Sequence, residues 1–510
     1  MTSEEVLSAW RAWAGEDVTK LVLLPTLESY YSNGLTTLDL SFVSLTDLPD
    51  AWPENLITLN LADNYLTEYP KNLPAGTQTI ILSGNRLDRG PTSSEIPSGL
   101  RSLNISDNEF PDIPEELFTL PPEVSVNYTG NVLLVESYIR LWTSVNANPL
   151  APTIEYDVDQ MLISDSVSLP ATLDPALTGS WTSWVDSAPP GEKAARQTAV
   201  KRMLEAVVTN GMTLDLSDLK LTTLPARLPP NIFELNISYN ELSVFPDNLP
   251  SLLKNLDASN NKISSFAGEL PKSLWTLDLT DNKPLTALPD ALPPHLLNLY
   301  LAYCDLHSLP VLPDTIQTLS LIDNQNLSAL PEKLPTALKT LEISSTKITD
   351  LGVLPSGLEM LSASFMTDLH SIPENLPDSL KYLYMRESGI TIMPDALPKN
   401  LETLDLQGNK ILHLTTEWPE GLRILDIRNN KIVELTQLPD SLISLNASYN
   451  DIHTIEGELP GKIQSVYLDH NDLVEAPDIK SKEISHLYLY NNPLESLPDS
   501  YAEFTSSTTV

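Results

Sequence analysis

The sequence is dominated by an internal repeat, which constrains the fold more than any other feature. The repeated motif begins as Leu235-x-Ile237-x-x-Asn240 and recurs as far as Leu487-x-Leu489-x-x-Asn492, with a mean period of 21 residues. A unit of this length cannot bury its apolar face alone, so successive units must stack on one another. The period therefore predicts a solenoid in which each repeat forms one turn.

The motif matches the leucine-rich-repeat consensus, whose period is about 20–29 residues. Alternating Leu residues predict a short strand with Leu side chains pointing inward, and the stacked strands form a parallel sheet on the concave face. The Asn is expected to satisfy buried backbone groups in the following turn. A Leu-Pro phrase in the return segment, as in Leu249-Pro250, excludes a helix there and favours an extended, polyproline-like convex side.

A second, shorter array precedes the first, with units at Leu38, Leu59, Ile80 and Leu103. A segment with two Trp residues lies ahead of each array and predicts a helix that covers the open end of the solenoid. The predicted organisation is a helical cap (1–34), a short repeat module (35–131), a capping helix (132–150), a linker (151–179), a helical cap of the second module (180–210), a main array of about 13 repeats (211–498) and a C-terminal tail (499–510).

Charge and composition restrict the partners that this chain can have. The 30 basic and 68 acidic residues give a net charge of −38, which repels nucleic-acid phosphates and anionic membrane surfaces. No apolar run approaches the roughly 20 residues of a membrane span, and the first residues lack the features of a Sec signal peptide. We therefore expect neither nucleic-acid binding nor membrane insertion. The charge instead favours basic protein surfaces as partners.

The second helical segment carries a more specific signature. It contains Trp181-x-x-Trp184, the phrase Ala188-Pro-Pro-Gly-Glu192 and a helical stretch that leads to Leu214, followed by the Leu-Pro repeats. These residues resemble the bacterial LPX-type leucine-rich-repeat type III effectors, the group of YopM and of the repeat halves of IpaH-type ubiquitin ligases. The resemblance covers residues 180–500 well and residues 1–145 as a degenerate second copy.

The resemblance implies a non-enzymatic scaffold that is secreted into a host cell, reaches the host cytoplasm or nucleus, and binds host proteins through its repeats. The alternative is the substrate-recognition part of an IpaH-type E3 ligase without its catalytic domain, because the sequence ends soon after the last repeat. The disordered secretion leader usual in this group is not evident, since the first helical segment is predicted to begin by residue 4.

Residues that could carry catalysis or bind a metal are few. Cys304, the single cysteine, occupies the position that holds Asn in neighbouring repeats, and the repeat consensus allows Cys there. The seven His residues are scattered, with no pair at the spacing of a zinc site. Phosphate-binding and dinucleotide-binding motifs are absent from the sequence. We therefore predict no catalytic residue, no metal and no cofactor.

The C-terminal part of the concave face carries the strongest candidate site. Exposed Tyr clusters are enriched at binding hot spots because each ring buries a large area and keeps a polar group. Tyr also favours strands in any sheet, so strand propensity remains the alternative interpretation. The last residues, Thr508-Thr509-Val510, match the form of a PDZ ligand, but so short a match often arises by chance, which is the favoured explanation. The candidate partner-binding residues are Tyr449, Tyr467, His470, His486, Tyr488 and Tyr490.

Overall fold

The computed structural model describes residues 2–134, 137, 152–157, 161–162, 174–415, 417–497, 501 and 508–509. The chain divides into two compact units, Met1–Gly211 and Met212–Val510. Among the described residues, every helix is too short or too polar to cross a lipid bilayer.

The first unit contains helices and a six-stranded parallel sheet of order β1-β2-β3-β4-β5-β7, while β6 pairs with β8. The helices are α1 (Ser3–Ala14), α2 (Val18–Leu21), α3 (Leu24–Ser32), α4 (Pro175–Asp186) and α5 (Lys193–Val208), with a 3-10 helix at Glu115–Thr119. The strands are β1 (Thr37–Asp39), β2 (Thr58–Asn60), β3 (Thr79–Ile81), β4 (Ser102–Asn104), β5 (Ser125–Asn127), β6 (Leu133–Leu134), β7 (Thr153–Glu155) and β8 (Met161–Leu162).

Helix α1 packs against the beginning of the first array. Thr2 and Glu5 form a capping box at its N-terminus, which supplies hydrogen-bond partners to two backbone N–H groups that the helix leaves free. Trp10 is fully buried, and its Nε1 donates to the carbonyl oxygen of Ala51 at 2.7 Å. The Trp10 ring also meets the Trp52 ring edge-on at 5.9 Å between centroids.

The connection between the arrays differs from the predicted linker at 151–179. Strand β7 lies within that range and extends the first sheet, with Ile154 aligned to Val126 of β5. The sequence did not reveal this strand because Ile154 is not followed by the second Leu and the Asn of the consensus. Helix α4 also begins within the predicted linker. Most of the capping helix predicted over 132–150 lies outside the described residues, although Leu133–Leu134 are in β6.

The second unit contains a fifteen-stranded parallel sheet, and the pairs β11–β13 and β22–β24 lie outside that sheet. The strands are β9 (Thr213–Asp215), β10 (Glu234–Asn236), β11 (Val244–Phe245), β12 (Asn255–Asp257), β13 (Ser265–Phe266), β14 (Thr276–Asp278), β15 (Asn298–Tyr300), β16 (Thr318–Ser320), β17 (Thr340–Glu342), β18 (Met360–Ser362), β19 (Tyr382–Tyr384), β20 (Thr403–Asp405), β21 (Ile424–Asp426), β22 (Glu434–Leu435), β23 (Ser444–Asn446), β24 (Thr454–Ile455), β25 (Ser465–Tyr467), β26 (His486–Tyr488) and β27 (Thr508–Thr509).

Fourteen strands of this sheet belong to repeats, one more than the roughly 13 repeats that the spacing predicts. The fifteenth strand, β27, lies in the predicted tail. The central Leu or Val of each repeat strand aligns with that of the next, as Leu214 does with Leu235 and Leu256. These central side chains are almost completely buried, whereas the residues on either side of them are mostly half-buried or exposed. The sheet therefore presents regular columns of side chains on its open face.

The Asn that follows most of the strands links successive repeats, as the sequence predicts. Asn261 is buried, and its Nδ2 donates to the carbonyl oxygens of Ile237, Ala258 and Ser259 at 2.9–3.1 Å. Its Oδ1 accepts a hydrogen bond from the backbone N–H of Leu242 at 3.0 Å. One side chain thus satisfies backbone groups of two repeats that water cannot reach.

Many return segments contain a turn at a Leu-Pro dipeptide rather than purely extended chain. In the phrase that begins at Leu249, the N–H of Leu253 donates to the carbonyl oxygen of Pro250 at 3.1 Å. The same contact recurs between Leu274 and Pro271. Proline permits this turn because its own nitrogen needs no partner. The chain is a leucine-rich-repeat solenoid with a parallel sheet on the concave face.

Candidate functional site

The concave face changes in chemical character along the second unit. Near its N-terminal end, the residue that follows each central Leu is often acidic, as at Asp215, Asp257 and Asp278. Burial raises the pKa of Asp278, and the charge of Asp257 raises it further. Burial and the charge of Asp278 likewise raise the pKa of Tyr300. This end of the face disfavours further negative charge.

Two arginines occupy the middle of the concave face. Arg386 binds Asp405, with Nε and Nη2 at 2.7 and 2.6 Å from the same carboxylate oxygen. Arg428 lies 3.4 Å from Asp426 and donates to Gln407 at 2.7 Å. Burial raises the pKa of Asp426. A hydrogen bond from the backbone N–H of Arg428 and the charge of its guanidinium lower this pKa in part. Sequence analysis did not select these residues, although Arg386 and Arg428 hold equivalent positions two repeats apart.

The candidate residues at the C-terminal end form two stacked pairs. Tyr467 and Tyr488 lie on the adjacent strands β25 and β26, with ring centroids 5.0 Å apart and ring planes within 8°. Tyr449 and His470 stack in the same way, at 4.0 Å and 12°. The stacking follows from the register of the sheet, because residues at equivalent positions of neighbouring repeats lie side by side.

Tyr490 joins the two pairs into one assembly. Its ring meets His470 edge-on at 5.3 Å and Tyr488 edge-on at 6.4 Å, both at an interplanar angle of 80°. Edge-to-face contacts place the positive edge of one ring on the negative face of another. We call Tyr449, Tyr467, His470, Tyr488 and Tyr490 the aromatic cluster. Its outer rings remain accessible, since Tyr449 is 53% and Tyr490 38% exposed.

A buried carboxylate holds the centre of the aromatic cluster in place. Asp469 accepts hydrogen bonds from Ser448 Oγ at 2.7 Å and from His470 Nδ1 at 2.9 Å. The other ring nitrogen of His470 lies 2.7 Å from the amide nitrogen of Asn491, so neighbouring side chains hold both nitrogens of the ring. The charge of Asp469 also raises the pKa of Tyr490. Sequence analysis did not select Asp469, although it lies three residues after the central residue of strand β25 and directly before the candidate His470.

His486 is the candidate that lies outside the aromatic cluster. It stands two residues before Tyr488 on β26, and its Nδ1 lies 2.9 Å from Ser485 Oγ. No ring contact joins it to the aromatic cluster among the described residues. It borders the cluster on the same face of the sheet, because side chains two positions apart on a strand point the same way.

Cys304 lies in the row of Asn residues, as its position in the repeat predicts. Its Sγ lies 3.3 Å from the carbonyl oxygen of Leu279, an atom that also accepts a hydrogen bond from Asn282. The thiol is buried, and burial raises its pKa to about 12. A thiol with so high a pKa forms little of the thiolate that acts as a nucleophile.

We expect Cys304 to resist alkylation in the folded protein. At pH 8, iodoacetamide should modify it at least about a hundredfold more slowly than a free cysteine, because the thiol is both protonated and inaccessible. After unfolding in guanidinium, one thiol per chain should react at the ordinary rate, as followed by intact-protein mass spectrometry. Rapid modification of the native chain would contradict the structural role of Cys304.

Across the part of the chain that the structure describes, no group of three or more His, Cys, Asp or Glu residues is arranged to hold a metal ion. The carboxylates of the concave face are engaged by backbone N–H groups, by hydroxyls or by the two arginines in several repeats, as Asp278 is by the N–H of Thr280 at 2.8 Å. The site is therefore defined by aromatic rings and hydrogen bonds.

Comparisons with known proteins give one family match and several structural likenesses. The Leucine Rich Repeat family model matches residues 400–422. The chain is similar to YopM from Yersinia enterocolitica WA-314, with 26% identity over 98% of both chains and a TM-score of 0.47. It is also similar to YopM from Yersinia pestis, with 26% identity over 63% of this chain and 95% of that chain and a TM-score of 0.43.

A leucine-rich-repeat domain of a Shigella effector is 28% identical over 44% of this chain and 87% of that domain, with a TM-score of 0.31. A search of curated proteins finds no match.

Proposed function

We propose that this chain is a non-enzymatic scaffold that binds a partner protein through the aromatic cluster, with His486 at the margin of the contact. The observation that carries this proposal is the ordered arrangement of five rings on an open face of the sheet. Two stacked pairs and an edge-on link fix the rings before any partner arrives, so little side-chain entropy is lost on binding. Partly exposed Tyr rings that keep a polar group are typical of binding hot spots.

The wider biological setting is part of the same proposal. The resemblance of the Trp181-x-x-Trp184 segment and the Leu-Pro repeats to LPX-type effectors supports a bacterial protein that is exported by type III secretion and acts inside a host cell. The partner would then be a host protein of the cytoplasm or nucleus. The net charge of −38 favours a partner with a basic surface.

The proposal predicts that the aromatic cluster is needed for partner capture. A chain with Tyr467→Ala, Tyr488→Ala and Tyr490→Ala should retain at most about a tenth of the host protein that the natural chain captures from eukaryotic lysate, because three anchors of the contact are lost. Quantitative mass spectrometry of the captured proteins measures this loss. Circular dichroism and the melting temperature should show that the variant is folded.

The matched control removes three other tyrosines of the concave face by Tyr300→Ala, Tyr382→Ala and Tyr384→Ala. These changes remove a similar aromatic area from the same sheet and leave the aromatic cluster intact, so capture should stay within about twofold of the natural level. Equal capture by the natural chain and the cluster variant would refute the proposed function. Equal losses in both variants would also refute the proposed function, since the aromatic cluster would then contribute no more to partner capture than other tyrosines of the concave face.

A further inference from the structure

One backbone position of each repeat in the second unit has a positive φ. This position lies four residues after the central strand residue, and its φ values fall between 46° and 72°. The residues there are Asp218, Tyr239, Asn260, Asp281, Tyr303, Asp323, Ser345, Phe365, Glu387, Gly408, Asn429, Tyr449, His470 and Asn491. Gly, Asn and Asp adopt this conformation readily, whereas bulky side chains are disfavoured in it.

Three aromatic residues at this position have side chains that no neighbouring ring or hydrogen bond among the described residues holds in place. We call these residues, Tyr239, Tyr303 and Phe365, the edge aromatics. Their side chains are 60%, 49% and 48% exposed. Within the described ranges, none of the three side chains stacks on another ring or makes a hydrogen bond. Tyr449 differs from them because it stacks on His470. Large rings at a disfavoured φ and in contact with water do not stabilise the fold. Their presence therefore indicates a role in binding rather than in folding.

The edge aromatics are evenly spaced along the solenoid. Three repeats separate Tyr239 from Tyr303, and three more separate Tyr303 from Phe365. Neighbouring strands lie about 4.8 Å apart, so each interval is roughly 14 Å. An extended peptide advances about 3.3 Å per residue and covers that interval in about four residues.

Each edge aromatic has a carboxylate beside it at the same position of an adjacent repeat. Asp218 lies next to Tyr239, Asp323 lies next to Tyr303, and Glu387 lies next to Phe365. None of these three carboxylates forms an ion pair with any residue that the structure describes, and Asp323 Oδ1 accepts a hydrogen bond from Gln325 Nε2 at 2.9 Å. Asp281, on the other side of Tyr303, is the exception in this column, since Lys283 lies 3.6 Å from it.

A ring beside an unpaired carboxylate suits the guanidinium of arginine. Its planar group stacks on the ring face while its N–H groups bind the carboxylate, a combination that the compact ammonium of lysine provides less well. We infer that the edge aromatics and their carboxylates seat one extended segment of a partner protein that carries arginine at every fourth residue. This surface is separate from the aromatic cluster and goes beyond the proposed function.

The experiment uses the full-length chain and a nine-residue peptide with Arg at positions 1, 5 and 9, Ser elsewhere, blocked ends and a fluorophore. Fluorescence anisotropy measures its Kd. The variant Tyr239→Asn, Tyr303→Asn, Phe365→Asn should raise this Kd at least about tenfold. Its melting temperature should stay the same or rise, because Asn suits a positive φ. If the three rings had a purely structural role, the variant would bind the peptide with an unchanged Kd and would have a lower melting temperature.

Two controls make the result specific. The variant Val311→Asn, Val353→Asn removes side chains that are 86% and 91% exposed, and it should leave the Kd unchanged. A peptide of the same composition with its three Arg adjacent should bind at least about fivefold more weakly, because it cannot reach three seats. Equal binding of the two peptides would mean diffuse charge attraction and would overturn the inference, as would an unchanged Kd in the Asn variant.

The test also separates this inference from the proposed function. The variant Tyr467→Ala, Tyr488→Ala, Tyr490→Ala keeps all three edge aromatics and should bind the peptide with the natural Kd. Retained peptide binding together with unchanged lysate capture in that variant would refute the proposed function alone. Loss of peptide binding in that variant would refute the assignment of the peptide to the edge aromatics.

Discussion

Asn324→Ala should lower the free energy of unfolding by about 3–5 kcal/mol, one of the largest effects expected from a single substitution in this chain. The side chain is fully buried. Its Nδ2 donates to the carbonyl oxygens of Leu301 and Leu321 at 2.8 and 2.9 Å, and its Oδ1 accepts from the N–H of Leu306 at 3.0 Å. Alanine leaves these three backbone groups without partners, and each unsatisfied group costs about 1–3 kcal/mol.

The matched control is Cys304→Ala, one repeat earlier in the same row. The thiol of Cys304 makes only weak contacts with the carbonyl oxygens of Leu279 and Ala302, so its loss should cost about 1 kcal/mol. Because a repeat array can unfold in parts, urea denaturation should be combined with hydrogen exchange of the amides near residue 306. A cost for Asn324→Ala no larger than that of Cys304→Ala would contradict the linking role of the Asn residues.

This role explains why so much of the fold could be predicted from the sequence. Most repeats share the same inward Leu and the same buried amide, so the requirement recurs at a fixed spacing and is visible without any structure. Thr346, Met366 and Ser388 show how much variation the row tolerates. The hydroxyl oxygen of Ser388 still lies 3.0 and 2.9 Å from the carbonyl oxygens of Ala363 and Arg386, so its one O–H can donate to either of them.

Features outside the repeat pattern were not predictable in the same way. Strand β7 joins the first sheet through backbone pairing with β5, which needs no particular side chain after the strand. The tail strand β27 pairs with β26 on the same principle. A pattern of Leu and Asn residues carries no information about either strand.

The candidate site could be predicted only at the level of columns. The period places Tyr467 beside Tyr488 and Tyr449 beside His470, and both pairs stack in the structure. The orientation of His470 depends on Asp469 and Asn491, whose side-chain rotamers the period does not fix. The period also does not determine whether His486 contacts the aromatic cluster, because such a contact depends on the side-chain rotamer.

Arg196→Met should lower the free energy of unfolding by about 3–5 kcal/mol through a different mechanism. Arg196 in α5 binds Glu192 at 2.9 Å, and the two side chains are only 4% and 7% exposed. Its Nη1 also donates to the carbonyl oxygen of Trp184 at 2.5 Å, and the guanidinium lies 4.9 Å from the centre of a Trp184 ring. Methionine keeps most of the apolar volume but removes the Arg196 cation from beside the buried carboxylate of Glu192, which is the costly outcome.

An exposed pair of similar geometry provides the control for Arg196. Lys71 lies 2.7 Å from Glu68, but the two side chains are 50% and 64% exposed, so Lys71→Met should cost much less stability than Arg196→Met. The double variant Glu192→Met, Arg196→Met removes both charges and should recover at least about half of the loss, because two apolar side chains replace an ion pair in a dry site. Thermal and urea denaturation of the three variants measure these differences. If the double variant is as unstable as Arg196→Met, the cost comes from the lost contacts with Trp184 rather than from the loss of the Arg196–Glu192 ion pair.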